Sequence, residues 1–274
     1  MSAYVTCQVF GAVVDGAMGA WRPRALDEVQ NDIEVECVCT GVGGVISPLL
    51  ANVYLHEVLD KWFVQVVRPR LRGRAELIRY ADDAVVVCAC EDDASRVMEV
   101  LPKRFGKYGL TLHPEKTRVV RFDRPRPGKD GTDDPGRPGQ PSGHSFDFLG
   151  FTHYWARSRR GTLVVKKRTA KGRLSRALRR INEWCRDNRH QALSEQSRQL
   201  GLKLKGHYGY YGVTGNWESL ESFYREALSR WRRWLSRRSQ RGYVTWESFR
   251  RLLARYALPK PRITRRANPL TANP

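Results

Sequence analysis

The stretch Leu77-Ile78-Arg79-Tyr80-Ala81-Asp82-Asp83-Ala84-Val85-Val86-Val87 constrains the chain most. Apolar and β-branched residues flank a Tyr-Ala-Asp-Asp core, the pattern of strand, tight turn, strand. Asp82 and Asp83 fall at the expected turn, where Asp tolerates the backbone that is needed. Two adjacent carboxylates on a hairpin tip offer hard oxygen ligands that suit Mg²⁺, which takes its other ligands from water and substrate phosphates. Two such ions, about 4 Å apart, clamp the attacking and leaving oxygens of an in-line phosphoryl transfer. A solvated Asp-Asp turn is the plain alternative, and only the rest of the chain separates the two.

A chain of 274 residues with 41% hydrophobic content can build two domains with their own cores. Its formal net charge is +21 and its pI about 10.2, and the charge is divided unevenly. Residues 1–150 hold 19 Lys and Arg against 21 Asp and Glu, whereas residues 151–274 hold 30 against 7. A near-neutral half followed by a strongly basic one suggests a chemical module joined to a polyanion-binding one. A merely solvated basic surface is the alternative. The six cysteines form no paired Cys-x-x-Cys set with downstream histidines, so a zinc ribbon is not expected and reduced cytoplasmic thiols are the simplest reading. No apolar run approaches a membrane span, so no membrane partner is expected. The stretch from Val5 to Ala20 lacks a basic leader and contains Asp15, unlike a signal peptide.

Residues 1–40 show neither a sustained helical nor a strand period. From Gly43-Gly44 the pattern sharpens. The spacing predicts a helix with Ser47 as N-cap, Pro48 at its first position and an apolar stripe of Leu50, Val53, Tyr54, Val58, Trp62 and Phe63. Glu91 to Tyr108 reads as a second helix closed by Gly109, and Leu110 to Phe122 as strand, turn, strand. Residues 123–143 are rich in Pro, Gly and charge and read as an exposed loop, after which Ser145 to Trp155 returns to strand character. After Trp155 the chain reads as helical: Thr169–Asn188, Ser194–Lys205, a long helix capped by Asn216, and a last one capped by Thr245. Gly206 to Gly212 interposes an aromatic, glycine-rich segment. Helices with aromatic cores and Arg/Lys outer faces suit structured RNA, with a basic bundle that binds a protein as the alternative.

Taken together, these motifs resemble the group II intron-encoded reverse transcriptase/maturase family, from about Thr40 to Ile263. GGVISPLLANVYLHEVLDKWF resembles that family's helix facing template and incoming nucleotide, and LIRYADDAVVVC its catalytic hairpin. GLTLHPEKTRVVRF and FDFLGFTHYW resemble the later palm motifs, and the segment from Gly206 to Ile263 the thumb and maturase domain X. The fold implied is α+β: a partial right-hand polymerase palm with antiparallel hairpins, over 41–155, followed by an all-α basic thumb/maturase domain over 156–274. The resemblance implies that Asp82 and Asp83 coordinate catalytic Mg²⁺ and that Lys116 sits near the incoming triphosphate. It places Gly43, Gly44, Ser47, Asn52, Tyr80 and Ala81 around the nucleotide and template. It assigns intron RNA to Lys166, Lys167, Arg173, Arg176, Arg180, Lys203, Lys205, Arg232, Arg233, Arg237, Arg238 and Arg241. The partners implied are group II intron RNA and a DNA target or primer–template, in a ribonucleoprotein associated with the nucleoid.

The departures bear on activity. The family has a further metal-binding Asp on a palm strand upstream of the Gly-Gly motif, and fingers motifs before that. Neither finds a match in residues 1–40, where Asp15, Asp27 and Asp32 lie in no comparable strand context, and Thr40-Gly41-Val42-Gly43-Gly44 replaces the usual Thr-Pro-Gln-Gly-Gly. A truncated or frame-disrupted copy would account for this. Loss of one carboxylate under-neutralises and misplaces the ions, on which phosphoryl transfer depends. Three expectations follow: an active polymerase whose missing Asp comes from a fingers fragment or second copy in trans or from an unrecognised part of residues 1–40, an RNA-binding maturase remnant without enzymatic activity, or a remnant that does not fold alone. No endonuclease-type Cys/His cluster follows domain X, so no DNA-cleaving domain is expected.

Overall fold

The computed structural model describes residues 4–9, 47–114, 116–125, 145–158, 160–239 and 242–265. The chain divides into two compact units, Met1–Arg124 and Pro125–Pro274, a boundary well before the one expected after Trp155.

In the first unit, strands β1 (Tyr4–Val9), β2 (Ala75–Tyr80), β3 (Asp83–Cys88) and β4 (Arg118–Arg121) form an antiparallel sheet in the order β2-β3-β1-β4. β1 corrects the reading of residues 1–40 as lacking strand character: it lies inside the sheet, with Tyr4–Val9 against Asp83–Cys88 and Tyr4–Cys7 against Arg118–Arg121. Leu110–Leu112 form no strand, so β4 stands alone there. Helix α1 (Ser47–Leu55) continues as π-helical turns over His56–Lys61 and Phe63–Val67 and a 3-10 turn over Arg68–Arg70. Helix α2 (Glu91–Lys107) ends as expected at Gly109, whose φ is +67°.

Alternation along β3 decides what the helices cover. Ala84, Val86 and Cys88 are buried with Leu55, Leu59, Phe63 and Val67 from the first helical run and Val97, Leu101 and Phe105 from α2. Asp83, Val85 and Val87 therefore face the other way. Two polar ties hold the layers together: Arg104 Nε donates to Val58 O at 3.0 Å, and buried Asp93 accepts from the backbone N–H groups of Arg72 and Gly73 at 3.2 and 2.8 Å.

The second unit pairs a small sheet with a helical bundle. Strands β5 (Ser145–Phe148), β6 (Phe151–Arg157) and β7 (Leu163–Thr169) form an antiparallel meander, so Ala156–Arg157 and Leu163–Thr169 are strand inside the region expected to be all-α. Helices α3 (Lys171–Asp187), α4 (Leu193–Tyr211), α5 (Trp217–Leu235) and α6 (Trp246–Arg255) follow. Their core holds Leu178, Ile181, Leu200, Leu204, Tyr208, Leu220, Phe223, Ala227, Trp231 and Phe249. Helix α4 runs through the aromatic segment expected to interrupt it, because Tyr208 packs fully inside the bundle and Gly206 and Gly209 border open space. Asn216 stands at the start of α5, but its side chain does not cap it. It accepts from Thr169 N at 2.8 Å and donates to Thr169 Oγ1 and Tyr211 O, tying β7 to the end of α4. Thr245 caps α6 as expected, accepting from Ser248 N at 3.2 Å. Among the described residues no helix is long and apolar enough to cross a membrane.

Two histidines in this unit make its stability pH-dependent. His207 stacks on Phe223 with ring centroids 3.7 Å apart, and His153 stacks on Phe146 at 5.0 Å. Burial lowers both rings to about 4, helped at His153 by the Lys167 charge. The unfolded chain binds these protons near 6.5, the folded chain only near 4, so the unfolded state holds more protons between them. Denaturant melts should show stability falling as pH drops from about 6.5 to about 4, with a shallower slope in His207→Phe. A flat profile in that window would contradict the packing described.

Candidate active site

Asp82 and Asp83 are held by a hairpin with a two-residue loop, since Tyr80 pairs with Asp83 and leaves only Ala81 and Asp82 between the strands. The sequence reading put both acids in the turn. The structure places Asp82 there, exposed, and makes Asp83 the first residue of β3. The special backbone falls on Ala81, at φ +53°, while Asp82 keeps negative φ, the pattern of a type II′ turn. Alanine in that region costs on the order of 1–3 kcal/mol. Tyr80 and Asp83 are directly opposed, so both sit on the sheet face turned away from α1 and α2. Ile78 is 52% exposed and Tyr80 67% exposed on that face.

Arg79 holds this tip in place, and the sequence reading did not single it out. Alternation turns its side chain toward the helices. Its Nε and Nη2 donate to Asp60 Oδ1 and Oδ2 at 2.8 and 2.7 Å, a bidentate pair. Its Nη1 donates to Asn52 Oδ1 at 3.0 Å and to Ala81 O at 2.8 Å, the carbonyl of the strained residue. Burial alone would raise Asp60, but hydrogen bonds and charge from Arg79 and His56 outweigh it and hold the carboxyl low. An Arg on the same alternation as the apolar Ala75 and Leu77 was the available clue. Arg79→Ala should lower thermal stability by about 1–3 kcal/mol, because it leaves half-buried Asp60 with His56 as its remaining partner among the described residues and frees the Ala81 carbonyl. Arg79→Lys should recover only part of that, lacking the planar fork. A wild-type melt in Arg79→Ala would remove the clamp from the account.

Strand register also locates Lys116. Val9 pairs with Asp83 on one side, and on the other the β1–β4 pairing begins at Cys7↔Arg118, just after the turn that holds Lys116. Asp83 and Lys116 thus belong to the same end of the sheet. Lys116 is exposed, in a turn where its N–H donates to His113 O at 3.2 Å. The strand between them, Tyr-Val-Thr-Cys-Gln-Val, contains no Asp or Glu. Gly43 and Gly44 lie outside the described residues, Ser47 opens α1, and Asn52 is engaged by Arg79.

Asp82 and Asp83 supply hard oxygens of the kind Mg²⁺ takes, and bound there it would polarise a phosphoryl oxygen. Among the described residues no group of three or more His, Cys, Asp or Glu could hold a metal. Among the described residues, Asp82 and Asp83 are the two adjacent carboxylates at this hairpin that would hold such an ion. A cleft of about 230 Å³ behind β2 is lined by Asp60, Phe63, Arg68, Glu76 and Arg79, but neither Asp82 nor Asp83 reaches it.

The family model for reverse transcriptase (RNA-dependent DNA polymerase) matches residues 17–153, half of the chain. The chain belongs to the reverse transcriptase family. The match contains the Asp82–Asp83 hairpin and Lys116 and begins upstream of Thr40, while β1 precedes it. No curated protein matches the sequence. Among solved structures, this reverse transcriptase family member is similar to telomerase from Candida albicans, solved in complex with the TWJ fragment of telomeric RNA. Identity is 13% and the TM-score 0.28, over 78% of this chain and 31% of that one, too slight to specify fold or function.

In the second unit the basic residues read as RNA ligands fall into two groups. Arg173, Arg176 and Arg180 are exposed along one stripe of α3, Lys205 is exposed on α4, and Lys166 and Lys167 lie on β7. Lys203 sits over Trp184 at 5.5 Å. Arg233 and Arg237 are exposed at the end of α5. Arg232 and Arg238 instead hold the fold: Arg232 Nη1 donates to Val244 O at 2.8 Å, and Arg238 donates to Arg189 O and Gln191 O. Arg241 lies outside the described residues.

Proposed function

We propose that this chain serves a group II intron as an RNA-binding maturase, built on a reverse transcriptase palm whose metal site is one carboxylate short. The observation that carries this reading is the register of β1, which lies directly beside Asp83 and has no acidic residue from Tyr4 to Val9. Phosphoryl transfer rests on placing and neutralising charge, so two carboxylates with Lys116 nearby bind substrate phosphates and Mg²⁺ better than they turn them over. The basic second unit supports RNA as partner, and the motifs from GLTLHPEKTRVVRF through the segment ending at Ile263 support the group II intron in particular. Its place is then with intron RNA, in a nucleoid-associated ribonucleoprotein.

A second reading has a specific observation behind it. The strained Ala81 carbonyl is clamped by Arg79, as a working hairpin would require. An active polymerase would then draw its third carboxylate from a fingers fragment, a second copy or residues 1–40 of this chain, with a primer–template as substrate. The maturase reading is tested by salt titration of binding to a structured group II intron RNA. Affinity should fall linearly on logarithmic axes, by several orders of magnitude between low and moderate salt. Weak, salt-insensitive binding would contradict it.

A further inference from the structure

At the end of α5, Ser229, Arg232, Arg233, Ser236, Arg237 and Tyr243 line a groove of about 300 Å³. Cations gather at a helix C-terminus to complement its carbonyls, and that alone could place three arginines here. Two features go beyond it. Arg186, Arg198, Arg230 and Arg251 of the same unit each pair with an Asp or Glu, yet Arg233 and Arg237 have no such partner among the described residues. Arg232 is fixed by Val244 O and lies over the Trp246 ring at 4.2 Å and the Tyr243 ring at 6.0 Å, while its buried Nε has no acceptor among the described residues. The groove therefore combines three guanidinium groups, no carboxylate, and an aromatic ring that is 75% exposed.

Guanidinium groups match phosphate oxygens, and an exposed ring offers a stacking platform to any base. A paired base is already stacked in its helix and cannot reach such a ring; an unpaired one can. We propose that this groove binds one unpaired RNA nucleotide, its base on Tyr243 and its phosphate on Arg233 and Arg237, with Arg232 holding the ring from beneath. The assignment rests on the RNA-binding reading above and adds to it a preference for unpaired over duplex RNA.

The experiment uses the full chain and a fluorescein-labelled RNA hairpin with an unpaired uridine loop, beside the same stem as a blunt duplex. Tyr243→Ala should weaken loop binding about tenfold, with duplex binding and salt slope unchanged, and Tyr243→Phe should bind as wild type. Arg233→Gln with Arg237→Gln should lower the salt slope by about 0.7 per lost phosphate contact. A fluorescent adenine analogue in the loop should be quenched by wild type and not by Tyr243→Ala. Tyr243 is exposed, so its variants should melt as wild type. Equal loss on loop and duplex, or no loss in Tyr243→Ala, overturns the groove and leaves RNA binding standing. Failure of the wild type to bind either RNA overturns both.

Discussion

Trp231→Ala should bring the helical unit close to unfolding. Trp231 is completely buried near the C-terminal end of α5, and its ring meets Phe249 edge-on at 5.6 Å. Removing so large a side chain from a packed core costs about 3–5 kcal/mol. A second loss is added. Trp231 Nε1 donates to Gln196 Oε1 at 2.8 Å, and Gln196 is itself buried with its amide spent on Arg189 O and Gln191 O. Orphaning that acceptor costs a further ~1–3 kcal/mol. Domains of this size hold about 5–15 kcal/mol in all, so most of the margin disappears. Trp231→Phe keeps much of the volume and should lose only the smaller part. Urea melts followed by circular dichroism measure both, and equal midpoints for the two variants would show that the hydrogen bond dominates.

Gly212→Ala should cost on the order of 3 kcal/mol or more, through steric overlap with backbone rather than strain in φ. A methyl there would sit 2.3 Å from Tyr208 O and 2.8 Å from Arg262 O. Neither carbonyl can move alone. Gly212 N donates to Tyr208 O at 2.8 Å, and Gly212 O accepts from Thr264 N at 2.7 Å and Arg265 N at 2.9 Å. The segment that follows α6 is thus tied to the end of α4, with Leu258 buried alongside. The variant should melt earlier and expose this segment to limited proteolysis near Arg262. A wild-type melt and digestion pattern would show that the contact is not needed.

What the sequence disclosed follows from how local each signal is. The Gly109 stop of α2 and the Thr245 cap rest on neighbours within a few residues, and they were legible. The hairpin was legible too, because β-branched residues flank its acids, although the loop sits one residue earlier than Asp tolerance suggested. β1 was not: its partners are Asp83–Cys88 and Arg118–Arg121, far along the chain, and its short run of strand formers carries no turn signal to set it off. The π-helical turns after Leu55 and the run of α4 through Gly206–Gly212 depend on packing that overrides local propensity. Arg79 and Asn216 carry ordinary residue types whose roles appear only once the strands and helices they join are in place.

Primer extension by the purified full chain on an RNA template, beside Asp82→Asn, tests the central claim most directly. The account predicts that wild type extends no further than Asp82→Asn when assayed alone with Mg²⁺, while both retain the same salt-dependent RNA affinity. Robust extension by the wild type, abolished in Asp82→Asn, would contradict it and show that the carboxylate set beside Asp83 is complete.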